Sequence, residues 1–174
     1  EFAQSSMALP SALNLKNYIS VFTETNMLRY IVNSLRNTVL SVGLIIIMAF
    51  TAAYVLSRYK FKGRNFIYNY FIIGMLIPIH ALLVPMYVQF KQAGLTNHWY
   101  TLLLPYIAFG LPISIMLIES YISAVPKELE EAAAIDGANS WQRLWSVTIP
   151  NMMPSITICL FLTLTNGFKL FDQN

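Results

Sequence analysis

The sequence predicts an all-α integral membrane fold, a bundle of about four transmembrane helices with one polar, helical loop on the cytoplasmic side. Three observations lead there. Hydrophobic residues fill 56% of the 174 positions and charged residues only 11%, whereas soluble domains average about 25% charged. Long stretches of the chain carry no charge at all. A single charged and alanine-rich island, Lys127 to Ala138, lies wedged between two of them. In so apolar a chain such an island is either a solvated connector or a docking surface.

Taken in order, residues 1–32 mix polar and apolar side chains without a sustained period, as an extracytoplasmic lead-in would. Ser11 to Tyr18 looks like a cap and a short surface helix within it. Residues 33–174 read as the transmembrane domain. Its first span covers about 35–57, with Asn33 as a cap. Between Arg36 and Arg58 the chain is uncharged for about 21 residues, enough at about 1.5 Å per residue to cross a hydrocarbon core about 30 Å thick. The second span, about 65–88, contains Pro78 and Pro85, each of which removes a backbone donor and clashes with the turn before it. A helix over Asn65 to Ile77 is expected to break near Pro78-Ile79-His80, followed by a bent, partly re-entrant stretch. Gly94 and Asn97 form the outer turn, and Trp99 and Tyr100 mark the membrane interface. The third span covers about 102–124 and the fourth about 150–168, with Pro150 and Pro154 at the start of the latter, where a helix best tolerates them.

Charge placement orients these spans. Arg58, Lys60, Lys62 and Arg64 crowd into the loop 58–64 with no acidic neighbour. Basic residues collect in cytoplasmic loops, so this loop and the loop 125–149 lie on the cytoplasmic side of a multi-pass membrane chain. A nucleic-acid role is a poor match for a cluster this short between apolar runs. The single cysteine, Cys159, sits in an apolar run as a filler and admits no disulfide within the chain. With Glu1 first and no signal-peptide pattern, the expectation is a stretch that starts and stops inside a longer protein.

The polar island has a legible local chemistry. Pro126 suits a helix start, Glu128, Glu130 and Glu131 set negative charge near the positive end of the helix dipole, and the helix is expected over about Lys127 to Ile135. Ala132, Ala133 and Ala134 favour the helix and leave its surface open to close approach. Gly137 offers the left-handed conformation that ends it. Asn139 or Ser140 then caps a second short helix, on which Trp141, Leu144, Trp145 and Thr148 share a face.

Glu131-Ala132-Ala133, Asp136-Gly137-Ala138 and the later Ile149-Pro150 closely resemble the EAA loop of the permease subunits of binding-protein-dependent ABC importers, although Thr148 stands where many members carry Leu. Gly94 to Asn97 and Phe168 to Asp172 resemble outer segments of the carbohydrate-uptake, maltose-type branch. The resemblance implies that first and last membrane helices lie outside this sequence. It also implies that Glu131, Ala132, Ala133, Asp136, Gly137 and Ala138 couple the membrane helices to a separate ATPase. Implied partners are a second permease subunit, two ATPase subunits that bind the ATP, an extracytoplasmic solute-binding protein and a carbohydrate substrate.

The residues themselves supply no catalytic constellation: no nucleophile on a turn, no phosphate-cradling glycine motif, no metal-ligand spacing. No cofactor is expected in this chain and no enzymatic activity. Carriers driven by an ion gradient usually keep an ionisable group at membrane depth, and only His80 could serve, so a secondary carrier or channel is the alternative reading. Asn69, His80, Gln89 and Asn166 are candidates to face a translocation path, because facing lipid would leave their polar groups unsatisfied; bonding between helices would satisfy them equally. The topology predicts that single cysteines at Lys62 and Asn139 react with impermeant thiol reagents from the cytoplasm only and one at Asn97 from outside only. Labelling of positions 62 and 97 from the same side would overturn the span count between them.

Overall fold

A computed structural model describes residues 16–24 and 26–169, and every regular element among them is a helix. The chain divides into two compact units, residues 1–35 and 36–174. The first holds α1, Lys16–Glu24, and the opening turns of α2, Met27–Arg58. Residues 11–15 of the expected lead-in cap and residues 170–172 of the outer segment lie outside the described residues. With neither proline nor glycine between Met27 and Val42 to stop it, α2 continues past the expected start, and Asn33 sits inside the helix rather than capping it.

The second unit contains the body of the protein. Three helical runs are long and apolar enough to cross a membrane, namely α2, α5 (Leu103–Ala124) and the run from Ser140 to Thr165. The pair α3 (Arg64–Gly74) and α4 (Ile79–Gln92), bent by 95°, is long and apolar enough only when taken together, as a broken span or a re-entrant loop. The break falls at Pro78, as expected, but α3 stops at Gly74, earlier than Ile77. Its last turn tightens, with Met75 N–H donating to Ile72 O at 3.1 Å and Leu76 N–H to Ile73 O at 3.0 Å, and Pro78 is extended ahead of α4. The stretch after the bend is a regular 14-residue helix with Pro85 inside it.

The fourth span also departs from expectation. After α6 (Lys127–Ile135), the short helix α7 (Ser140–Arg143) runs without interruption through a π turn, Leu144–Thr148, into α8 (Ile149–Lys169). Pro150 cannot donate to the turn before it and crowds that turn's carbonyls; the wider π geometry just upstream relieves this and keeps the helix continuous. Asn151 adds a side-chain bond, Nδ2 to Val147 O at 2.7 Å.

One apolar seam joins the spans. Ile115, Ile118 and Ile122 form a stripe on α5 at helical spacing, buried against Ala49, Ala53 and Leu56 of α2 and Met152 and Cys159 of α8, with Tyr68 and Phe71 of α3 against its edge. Lipid is as apolar as leucine, so such a seam is held by close packing rather than by exclusion of water, and small residues at the contact let backbones approach. Cys159 is the expected filler, its thiol 3.9 Å from Ser114 O. Polar contacts show that α2 and α5 run parallel: Ser57 and Ser123 share a 3.0 Å hydroxyl bond at one end, and the Arg36 guanidinium lies 4.5 Å from the Trp99 ring centre at the other. Trp99, Tyr100 and His98 stack around that second contact.

Gly110 approaches α2 closely: a methyl group there would come within 2.6 Å of Ile45 Cδ1, and Ile45 is only 1% exposed. Gly110→Ala should therefore cost about 1–3 kcal/mol by overpacking, read as a lower thermal midpoint in detergent. Ile45→Val removes the clashing carbon and should recover part of that loss in the double variant.

Candidate functional site

The polar island folds as two short helices joined by a hydrogen-bonded turn. Helix α6 starts at Lys127, with Pro126 extended before it and Glu128 and Glu130 in its first turn. At its other end Gly137 takes φ +88°, which costs a residue without Cβ nothing. The chain then reverses, with Gly137 N–H donating to Ala134 O at 3.1 Å and Ala138 N–H to Ala133 O at 2.9 Å. This pair of bonds is the Schellman closure of a helix C-terminus, so Asp136-Gly137-Ala138 is the helix stop. Two residues later Asn139 caps α7 in a reciprocal box with Gln142, both bonds 2.8 Å. The indoles of Trp141 and Trp145 meet edge to face at 5.7 Å and remain exposed. Thr148, expected on the same face, is instead buried, because the π turn changes the angular step between it and the tryptophans.

Helix α6 has two distinct faces. Glu131, Ala132, Ala134 and Ile135 are exposed, Ile135 to 86%. Glu130 turns the other way. Its Oε1 accepts from Arg58 Nε at 3.1 Å and from Thr148 Oγ1 at 3.1 Å, and lies 3.0 Å from Arg58 Nη2. The side chains of Arg58 and Glu130 are only 7% and 15% exposed. Arg58 also donates from Nη1 to Val125 O at 3.2 Å, at the junction between α5 and α6. A second pair sits beside the first: Arg64 Nη2 is 3.3 Å from Glu119 Oε1, which also accepts from Ser123 at 3.0 Å, while Arg64 Nε donates to Leu56 O. Two members of the basic cluster thus make specific bonds as well as carrying charge.

Toward the opposite end a cavity of about 490 Å³ opens between α2, α4, α5 and α8. Its wall is largely apolar but includes Thr38, Ser41, His80, Tyr106, Ser114 and Thr163. Ser41 is 3% exposed and its hydroxyl has no partner among the described residues. No acidic, lysine or arginine side chain is among the described residues that line the cavity. Of the four polar residues singled out in the sequence, His80 lies in this wall. Asn69 and Gln89 are exposed on α3 and α4 and do not line it. Asn166 belongs to α8, and its side chain lies outside the described set.

Sequence reasoning missed Arg58, Glu130 and Thr148 as a unit, and Thr38, Ser41 and Ser114 as cavity wall. A signal for the first was present: Glu130 and Glu131 are neighbours on a helix, so they point about 100° apart and cannot both serve one outward face. For the second there was none, because serine and threonine within a span commonly bond their own helix, as Thr163 does to Cys159 O at 2.6 Å.

Known proteins match this arrangement. The family described as "Binding-protein-dependent transport system inner membrane component" matches residues 41–173, and the chain belongs to that family. It is thus a membrane-spanning component of this class of transport systems. The diacetylchitobiose uptake system permease protein NgcG of Streptomyces coelicolor is 34% identical over 98% of this chain and 57% of its own length. The maltodextrin transport system permease protein MalD of Streptococcus pneumoniae is 29% identical over 84% of this chain and 52% of its own. The chain therefore spans little more than half the length of the relatives it matches. Among solved structures, a bacterial ABC transporter involved in the import of the acidic polysaccharide alginate superposes with a TM-score of 0.67 at 26% identity, over 78% of this chain and 47% of that one.

The left-handed turn supplies a direct test of the loop. Gly137→Ala places a Cβ where only glycine rests easily, at a cost of about 1 kcal/mol, so the thermal midpoint should fall by about 2–4 °C. An unchanged midpoint would show that the α6 to α7 turn is not held as described.

Proposed function

We propose that this chain is the core of a permease subunit of an ATP-driven importer for sugars or oligosaccharides. Membership of the family and the carbohydrate uptake systems named for its relatives support the substrate class. The observation that carries the coupling role is the shape of α6: closed at its C-terminus by the Gly137 turn, tethered by Glu130 and presenting Glu131, two small alanines and a bare isoleucine outward. A large apolar side chain exposed on a rigid polar helix, with a carboxylate beside it, suits a partner's cleft. In this reading an ATPase subunit receives Glu131, Ala132, Ala133 and the turn Asp136-Gly137-Ala138. The cluster Arg58 to Arg64 then marks the cytoplasmic end.

ATP is bound by two such ATPase subunits, and this chain contributes no nucleotide site and no catalysis. A second permease subunit completes the pathway and an extracytoplasmic binding protein delivers the solute. The cavity is this chain's share of the pathway. The unpaired Ser41 hydroxyl, with Thr38 and His80 nearby, can exchange hydrogen bonds with a hydroxyl-rich solute or with water. Asn69 and Gln89, exposed here, would be satisfied by facing the second permease chain rather than lipid.

The test uses the full-length subunit with its partners in vesicles. Uptake should require ATP hydrolysis, and Glu131→Lys or Gly137→Pro should weaken ATPase binding by about tenfold, the loss of about 1.4 kcal/mol of contact energy. Solute movement without ATP hydrolysis, or ATPase binding indifferent to both substitutions, would refute the proposal.

A further inference from the structure

Helix α6 is joined by the backbone to α5 through Val125-Pro126 and to α8 through α7 and the π turn. It has no such connection to α2, from which Glu130 is separated by 72 residues at Arg58. Yet α2 forms one wall of the cavity, through Thr38, Ser41, Val42 and Ile45. The direct route from α6 to that wall is the Arg58 guanidinium, which holds the Glu130 carboxylate and the Val125 carbonyl together. From Arg58 to Ser41 the helix is unbroken, a rigid distance of roughly 25 Å at the α-helical rise.

We propose that Arg58 and Glu130 are positioning residues that clasp α6 to α2, so that displacement of α6 is delivered to the cavity wall through α2 as well as through α5 and α8. The inference rests on the coupling role proposed above. Two features set the clasp apart from an ordinary surface pair. It is largely buried, where a lost partner leaves a charge uncompensated and the bond cannot be exchanged for water. It is also a three-element junction, because the same Glu130 oxygen accepts from Thr148 at the start of the α8 run. When α6 moves it must either break these bonds together or carry the ends of α2 and α8 with it. The Arg64 to Glu119 pair, by contrast, ties α3 to α5 and does not touch α6.

The experiment uses the full-length subunit assembled with its partner permease, ATPase and binding protein in vesicles, reading three quantities: assembly, ATP hydrolysis and solute imported per ATP hydrolysed. Arg58→Met keeps the apolar stem and Glu130→Gln keeps the shape. Each should assemble and hydrolyse ATP while solute per ATP falls about tenfold, within the usual range for coupling between sites. Arg58→Glu combined with Glu130→Arg restores the opposite charges but not the bonds to Val125 O and from Thr148, so it should recover only part of the loss; retained assembly and ATP hydrolysis with lowered solute per ATP is the readout that a merely structural defect would not give. As a milder perturbation, Thr148→Val leaves the Arg58–Glu130 pair in place, removes the hydroxyl's bonds to Glu130 and Arg143 O, and should reduce the ratio less. An assembled Arg58→Met or Glu130→Gln complex with unchanged solute per ATP overturns the clasp alone. Failure of the unmodified subunit to recruit an ATPase overturns the transporter reading and this inference with it.

Discussion

A guanidinium and a carboxylate shut away from water at one end of the bundle are the constraint on which this architecture turns. Neither charge can be left alone in that setting, since an unpaired buried ion costs far more than a broken surface pair. Arg58 and Glu130 therefore specify where α2 ends, which way α6 faces and how α8 begins, because all three must bring their atoms to one oxygen.

The outward face of α6 follows from that inward commitment. With Glu130 turned in, its neighbour Glu131 must turn out, together with Ala132 and Ile135. The glycine at position 137 closes the helix in a fixed geometry and Asn139 opens the next one at once. An outward face set in this way suits a chain whose apolar body offers no ionised residue in its cavity wall among those described.

The bend at Pro78 plays the complementary part at the other end. A straight second span would present one continuous wall, whereas the 95° turn between α3 and α4 brings Ile79, His80, Leu83 and Met86 to the side of a cavity. Irregular backbone at membrane depth persists only where protein or a water-filled space surrounds it, so a break and a cavity in the same place are physically consistent with one another.

The order of elements was legible in the sequence because its signals are local. Uncharged length marks a span, a basic cluster marks its end, Pro78 marks a break and Gly137 a helix stop, each acting through its own backbone or its own solvation. Element limits were less legible: α2 began earlier than Asn33, α3 closed at Gly74, and the short helix before Pro150 proved continuous with α8 through a π turn. What only the tertiary structure decided is which polar groups meet. Arg58 and Glu130 lie 72 residues apart, and Ser41 and His80 share a cavity only because four helices close around it. Such encounters depend on the packing of whole helices, which no local pattern of residues encodes.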